Sequence, residues 1–510
     1  MGFDALLSAA AEVASGGSFL YLLAGILLGL CFGVIPGLGG TTALALLIPV
    51  TFGMDKLDAM YLAGGVMGAT SFGGSITAIL LNTPGTAPNA ATTFDGYPLA
   101  RQGKGGLAIG AAACASAMGG VIGLFTLILF IPLAKEIVLS FGPAEFFLLT
   151  VLGLTAIAVS VRGKLLRGLI AGCLGLMLAF VGSDAITGDL RFTGGVNYLW
   201  DGIPLVPTLT GMFAISQMME LALKGGSVAD KNGEVRAERI EISGVWDGVL
   251  SVFKNWTVLL RGSFIGTVIG AIPGLGGTVA SFLAYSSVVQ TAKDPETYGK
   301  GNIRGVIAPE SANNAKDGGS LIPTVAFGIP GSAETALFLG ILVLHGIDPG
   351  PSILLYHERE IYGLIVAITG AAVGASLIGL LLSRFLVLIT RVDVGIVVPV
   401  VVAVSLTGVY VLDGRMADVL LTVVMGVIGY LMIRFDYPRL TLVIALVLGE
   451  TAEKSFHQVQ LISDGHALEF MMARPVSMLL IVATLLTFLL PIGRKMLEGA
   501  RRRRATTGGL

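Results

Sequence analysis

Apolar runs long enough to cross a lipid bilayer recur along this 510-residue chain, near 106–133, 143–161, 165–183, 203–222, 361–383, 393–412, 417–433 and 475–492. A helix needs about 20 such residues to span the hydrocarbon core. Only 13% of the residues are charged and 54% are hydrophobic, whereas a soluble domain carries roughly 25% charged residues. No soluble fold of this length can hide that much apolar surface, so the chain reads as an all-α polytopic membrane protein. Further apolar stretches at 19–52, 58–82, 256–290 and 306–346 are interrupted. Together the runs predict about a dozen membrane segments. The 72 glycines suit a bundle whose backbones approach closely.

Other features narrow the class. A net charge of −1 gives no sign of a nucleic-acid partner. Cys31, Cys114 and Cys173 sit in apolar stretches, with no CxxC and no disulfide framework. The N-terminus has no basic region before an apolar core, so no cleaved signal is expected. Residues 3–14 read as a short amphipathic helix within an interfacial segment, 1–18.

Basic residues set the topology, because Lys- and Arg-rich flanks stay in the cytoplasm. Placing Arg494, Lys495 and Arg501 to Arg504 inside, and counting spans backwards, also puts 434–439, 384–391, 224–254, 162–167 and 101–104 inside. Of the 32 Lys and Arg, 20 then lie inside and 6 outside. This register predicts a cytoplasmic C-terminus and a periplasmic N-terminus in the bacterial inner membrane. It divides the chain into a first repeat (19–222), a cytoplasmic linker (223–255), a second repeat (256–450), an external loop (451–474), a terminal helix (475–492) and a basic tail (493–510). Corresponding loops of the two halves fall on opposite sides, 134–142 outside against 384–391 inside. Inverted repeats are therefore expected.

The repeat is visible directly. GLCFGVIPGLGGT (29–41) and GTVIGAIPGLGGT (266–278) share nine of thirteen positions at an offset of 237. GGSITAILLNTPGTA (73–87) similarly resembles GGSLIPTVAFGIPGSA (318–333) with one residue inserted. Each half thus carries two breaks, at 36–40 and 84–85, and at 273–277 and 330–331. Proline cannot donate to a helix ladder and glycine tolerates unwound backbone. Paired breaks in mirrored halves are the sequence mark of a transporter's central site, with half-helix N-termini facing an anion and re-entrant hairpins expected. A single PGLGG is more often a packing kink. Two mirrored copies, each followed by GGS and PG, favour a site.

The expected substrate-binding residues are Pro36, Gly37, Gly39, Gly40 and Thr41 at the first break, and Thr83, Pro84, Gly85 and Thr86 at the second. Pro273, Gly274, Gly276, Gly277 and Thr278 form the third, and Pro330, Gly331 and Ser332 the fourth. Four helix ends at roughly half a charge each supply about +2, which suits a dicarboxylate. Asn82, Glu310, Asn313 and Asn314 are candidates for coupling to Na⁺ or H⁺, with Glu310 the natural proton carrier. Beyond that possible Na⁺, no metal or cofactor is expected. Lys316, Asp317 and Glu334 are weaker candidates, since Lys316 and Asp317 are adjacent and can simply pair. Gly123, inside the run 106–133, lies outside the motifs and is expected to tolerate a methyl group.

At this point a resemblance is clear. GVIPGLGGTTALALLIPVTFG (33–53), LLNTPGTAPNAATTFDGYPLARQGKGG (80–106) and GKGNIRGVIAPESANNAKDGGSLIPTVAFGIPGSAETALFLGILVLHGIDPGP (299–351) resemble the TctA family. That family comprises the large permease subunits of tripartite tricarboxylate transporters. The resemblance covers about 20–490, and DGYPLARQG and APESANNA are not generic membrane patterns. It implies import of small di- or tricarboxylates by alternating access, driven by an ion gradient. The implied partners are a periplasmic solute-binding protein and a small membrane subunit. Gly40 and Gly277 depart from the family, which often has proline there; so does Glu334, where a small or hydroxyl residue is usual. An intramembrane enzyme finds no support in four histidines without HExxH spacing, nor in any GxSxG or P-loop. A channel, or an ATP-driven permease that borrows an ATPase, remains the alternative reading.

Overall fold

A computed structural model describes residues 2–14, 16–160, 165–184, 187–224, 244–389 and 392–489. Most of the linker 223–255, the basic tail 493–510, the end of the run 475–492 and the basic positions Arg162, Lys164 and Arg391 lie outside the described residues. The described chain is nearly all helix, with one two-residue antiparallel ribbon pairing Gly182 with Arg191 and Ser183 with Leu190.

The chain opens with α1 (Gly2–Ala14), the short helix expected at 3–14. α2 (Gly17–Val34) stops before Pro36 and resumes as α3 (Gly39–Val50). α4 (Lys56–Leu81) stops before Pro84 and resumes, after a 3-10 turn at Ala87–Asn89, as α5 (Ala90–Arg101). α6 (Gly105–Ser140), α7 (Pro143–Ser160) and α8 (Leu165–Ala179) follow. The run 203–222 is a composite of α9 (Leu205–Leu209), a π-helical turn (Thr210–Ile215) and α10 (Ser216–Lys224). α11 (Val245–Lys254) lies within the stretch read as linker. The broken pattern then returns. α12 (Trp256–Gly270) resumes past Pro273 as α13 (Gly276–Thr291), and α14 (Arg304–Phe327) resumes past Pro330 as α15 (Ala333–Leu344). α16 (Pro351–Tyr356), α17 (Glu358–Ile389), α18 (Val394–Asp413), α19 (Met416–Arg434), α20 (Arg439–Ile462), α21 (Ala467–Ala473) and α22 (Pro475–Leu489) complete it. Much of 451–474, read as an external loop, is therefore helical.

Six of these helices are long and apolar enough to cross a membrane, or seven if the bent pair α21–α22 counts as one span. Five shorter apolar helices, including α3 and α15, stand beside them among the described residues. At 12 residues, α3 is about 18 Å long, short of the roughly 30 Å hydrocarbon core. Phe125, Leu129 and Leu133 on α6 and Leu377, Leu381 and Phe385 on α17 are exposed. Apolar faces of this kind suit lipid rather than water, and the chain is a multi-pass membrane protein.

The glycines explain how closely the helices pack. Along α2, a Cβ added to Gly29 would stand 2.8 Å from the Val66 carbonyl oxygen of α4, and one added to Gly25 would stand 3.0 Å from the Gly65 Cα. At the positions 237 residues on, α12 repeats the arrangement against α14. A Cβ on Gly266 would stand 2.7 Å from the Ala312 Cα, and one on Gly262 would stand 2.6 Å from the Ala308 carbonyl oxygen. Gly123 overturns the expectation set for it. Its α6 backbone lies directly on α14, so a methyl group would stand 2.7 Å from the Ala315 Cα. Apolarity of the run could not reveal which face is pressed against a neighbour.

Compact grouping cuts across the sequence halves: one unit is Met1–Glu136 with Pro204–Met432, the other Ile137–Ile203 with Ile433–Leu510. In the first unit the halves brace each other. α6, from the first half, packs its glycines on α14; α17, from the second, packs Ala367, Ile368 and Ala371 on Gly64 and Gly68 of α4. In the second unit α20 packs on α7 and α8. There Glu145 accepts from Arg474 Nε at 2.6 Å and Ser477 Oγ at 2.7 Å. Arg191 joins Glu453 at 2.5 Å and Asp184 at 3.0 Å. Arg191 is held above the usual arginine range, chiefly by its hydrogen bond to Glu453.

Candidate functional site

The four breaks have matching local geometry. Gly37 and Gly274 take φ of 88° and 84°, and Gly39 and Gly276 take 59° and 65°. These left-handed values are open to glycine at little cost. α4 and α14 also end alike, on left-handed residues 246 positions apart, Asn82 at φ 55° and Gly328 at φ 70°. Within each half the two breaks are tied by one backbone bond. Gly37 N donates to Gly85 O at 3.4 Å, and Gly274 N donates to Gly331 O at 3.3 Å. Gly85 and Gly331 are wedged at these crossings: a Cβ would stand 2.7 Å from the Gly74 Cα and 2.7 Å from the Ser320 Cα respectively.

The halves also meet crosswise. A Cβ on Gly40 would stand 2.9 Å from Glu334 Oε1, and one on Gly277 would stand 3.0 Å from Pro88 Cγ. Gly40 and Gly277 are equivalent by the offset of 237, and Pro88 and Glu334 by that of 246. The four breaks thus close a ring within the first unit, bonded within each half and touching between halves.

The ring's charge differs from the sequence estimate. α3 and α13 begin at Leu38 and Leu275 with no side-chain cap. α15 carries a complete capping box: Ser332 Oγ accepts from Thr335 N at 3.3 Å, and Thr335 Oγ1 accepts from Ser332 N at 2.9 Å. Ser332 is thus engaged inside its own helix, and Thr86 Oγ1 is engaged with Asn89 Oδ1. Thr83 Oγ1 donates to Leu81 O at 3.2 Å. Three of the four ends, those of α3, α13 and the 3-10 turn leading into α5, lack a side-chain cap, and the pair α3 and α13 supplies about +1. Thr41 and Thr278 sit in the first turns of those two helices.

The coupling candidates separate into three places. Glu310, on α14, is fully buried. Its Oε2 accepts from Ser75 Oγ at 2.6 Å and Ser116 Oγ at 2.9 Å, and its Oε1 accepts from Thr92 Oγ1. Asn89 Nδ2 braces Ser75 Oγ at 2.8 Å and Ser71 O at 3.0 Å. Among the described residues no cation pairs with Glu310, so a carboxylate of the second half is held by hydroxyls of α4, α5 and α6 in the first. Asn313 and Asn314, 1% exposed each, leave both polar atoms of Asn313 and the Oδ1 of Asn314 without partners among the described residues. Asn313 Oδ1 points at the α13 start, 3.1 Å from the Cβ position of Gly277. Asn82 is exposed and caps α4, apart from the groups around Glu310.

Three features escaped the sequence. Ser75, Thr92 and Ser116 are unremarkable singly, though Ser75 ends the GGS motif. Gln217, beyond the π-helical turn, brings its Nε2 to 3.9 Å from the Gly37 Cβ position; such turns often mark functional sites. Asp95, in DGYPLARQG, is an anchor. Its Oδ1 accepts from Gly301 N and Asn302 N, each at 2.8 Å, and Tyr285 Oη donates to Oδ2 at 3.0 Å.

The profile of the tripartite tricarboxylate transporter TctA family matches residues 19–444. A protein of Agrobacterium vitis described as an uncharacterized 52.8 kDa protein in the TAR-I ttuC' 3' region is 32% identical over 454 residues, 89% of each chain. A second from the same organism, described as an uncharacterized protein in the TAR-II ttuC' 3' region, is 32% identical over 205 residues, 40% of this chain and 85% of its own. No solved structure matches.

Proposed function

Because the chain belongs to the tripartite tricarboxylate transporter TctA family, we propose that it imports small di- or tricarboxylates as the permease of a binding-protein-dependent secondary transporter. The family is one of transporters, and its tripartite system adds a solute-binding protein and a small membrane subunit. The observation that carries the proposal is the ring of breaks. Unwound backbone at membrane depth must be buried or line a wet site, and here an equivalent backbone bond ties the two breaks of each half, beside the uncapped ends of α3 and α13. Paired breaks in two inverted halves form the central site of alternating-access carriers. The matched dihedrals at Gly37 and Gly274 support that reading of the repeat.

The driving ion is Na⁺ or H⁺, and Glu310 is its seat. A buried carboxylate ringed by hydroxyls and lacking a cationic partner is costly when charged. Binding a proton, or a sodium ion with hydroxyl oxygens as neutral ligands, relieves that cost. The chain lies in the inner membrane with its C-terminus in the cytoplasm, as the split of basic residues supports.

Reconstitution of the permease, its small subunit and the binding protein in liposomes tests the proposal. Labelled citrate or succinate should accumulate under an imposed Na⁺ or proton gradient without ATP. Uptake that persists with both gradients collapsed favours a channel, and uptake only with ATP favours a borrowed ATPase.

A further inference from the structure

Lys316, Asp317 and Glu334 form a group of one cation and two carboxylates that reaches Gly40 through Glu334 and Gly277 through Lys316. Lys316 Nζ lies 2.6 Å from Asp317 Oδ1 and bonds Glu334 Oε2. Asp317 Oδ1 has no aligned hydrogen-bond donor, so the ammonium is directed at Glu334. The lysine and Asp317 side chains are 4% and 2% exposed, and Glu334 is 20% exposed. A buried charge cluster adds little stability on balance, and at membrane depth it points to function.

We propose that Lys316 is the cation that receives a substrate carboxylate, and that Glu334 is a tethered carboxylate which holds Lys316 in the empty carrier and leaves it when substrate binds. The proposal rests on the reading of the ring as a carboxylate site and assigns its charged group. Three observations carry it. First, the chain already places a carboxylate there: Glu334 bonds Lys316 while its other oxygen lies at the uncapped start of α3, against Gly40. Second, at the equivalent place at the start of α13 the nearest described atoms to the Gly277 Cβ position belong to Pro88, Asn313 and Lys316, none of them a carboxylate. The counterpart of Glu334 is Pro88, an apolar ring. Lys316 Cε stands 3.1 Å from the Gly277 Cβ position, and Oδ1 of the buried Asn313 amide, neither of whose polar atoms has a partner among the described residues, stands 3.1 Å from the same point. An incoming carboxylate can take the α13 N–H groups and Lys316 together, and the Asn313 amide once it turns Nδ2 rather than Oδ1 toward the site. Third, the charges balance without substrate, since Lys316 and two half-helix ends offset Asp317 and Glu334. A dianion upsets that balance unless Glu334 gives up Lys316 and cations enter with the substrate.

The test uses the full chain purified with its small membrane subunit, and thermal unfolding with acetate, succinate or citrate as probes against chloride. At least one carboxylate should raise the unfolding temperature of the unaltered protein. Glu334→Gln should reach the same rise at a tenfold lower concentration or less, because the internal competitor is gone. A variant carrying Lys316→Gln, Asp317→Asn and Glu334→Gln leaves no charge unpaired and should show no rise. A normal rise in that triple variant, or an unchanged concentration dependence in Glu334→Gln, overturns the assignment while the carboxylate reading stands. If the triple variant does not fold, the Glu334→Gln titration alone decides. If no probe raises the unfolding temperature of any form, the carboxylate reading falls, and this proposal with it.

Discussion

Two kinds of glycine should fail in opposite ways. Gly266 is a packing glycine: its added Cβ would meet the Ala312 Cα at 2.7 Å and the Ala312 carbonyl carbon at 2.9 Å, against an ordinary contact of 3.4–4 Å. Both obstacles are backbone, so α12 and α14 must part by roughly half an ångström to one ångström, which forfeits a quarter to a half of the dispersion at each affected contact. Gly266→Ala is therefore expected at or above the upper end of the usual overpacking cost, about 3 kcal/mol. Gly37 is a conformational glycine. Among the described residues a Cβ there would have one neighbour within 4 Å, Gln217 Nε2 at 3.9 Å, and its φ is 88°. Gly37→Ala then costs only the left-handed strain, about 1–2 kcal/mol. Thermal unfolding and monodispersity in detergent, read beside uptake per folded molecule, separate the two. Gly266→Ala should lose stability and yield. Gly37→Ala should keep its yield yet transport poorly, with Gly37→Val abolishing uptake. A Gly266→Ala protein as stable as the parent, or a Gly37→Ala protein with the larger loss, would refute the distinction.

Other outcomes follow from the same geometry. Glu310→Gln should abolish gradient-driven accumulation while leaving exchange of labelled for unlabelled substrate across the membrane; equal loss of both removes Glu310 from coupling. Asp95→Ala strands two half-buried backbone donors, Gly301 N and Asn302 N, at no more than about 1–3 kcal/mol each, so its unfolding temperature should fall, and an unchanged one contradicts the anchor. A fluorescent protein fused at Leu510 should fluoresce, and an alkaline phosphatase fused there should stay inactive. The reverse pattern inverts the topology.

The breaks were legible because proline and glycine act locally: PGLGG dictates an interruption whatever surrounds it, and two copies at a fixed offset give the pairing. Glu310 was legible as a charge in an apolar run, but its hydroxyl shell was not, because Ser75, Thr92 and Ser116 come from three helices. The count of full spans was less legible. Apolarity marks α3 and α15 as strongly as a true span, and only length separates them. Ser332 read as a site hydroxyl, although a hydroxyl residue three positions on, Thr335, ahead of an apolar run is also the signature of a cap. Lys316 and Asp317 are adjacent in sequence and suggested a self-contained pair, while the decisive partner, Glu334, lies 18 residues away across a break.

The exchange of α6 and α17 between the halves bears on how the protein is made. α4 is complete at Leu81, but the helix that covers its Gly64 and Gly68 begins at Glu358. At typical synthesis rates of about 5–20 residues per second, that face waits roughly 15–60 s for its partner. During that time α4 sits in the bilayer with its glycine-lined side against lipid or the insertion machinery. A ribosome that stalls between the halves releases a chain whose central helix is half wrapped, a natural substrate for membrane quality control. Conversely, the halves produced as separate polypeptides should each be degraded alone and rescue one another when made together.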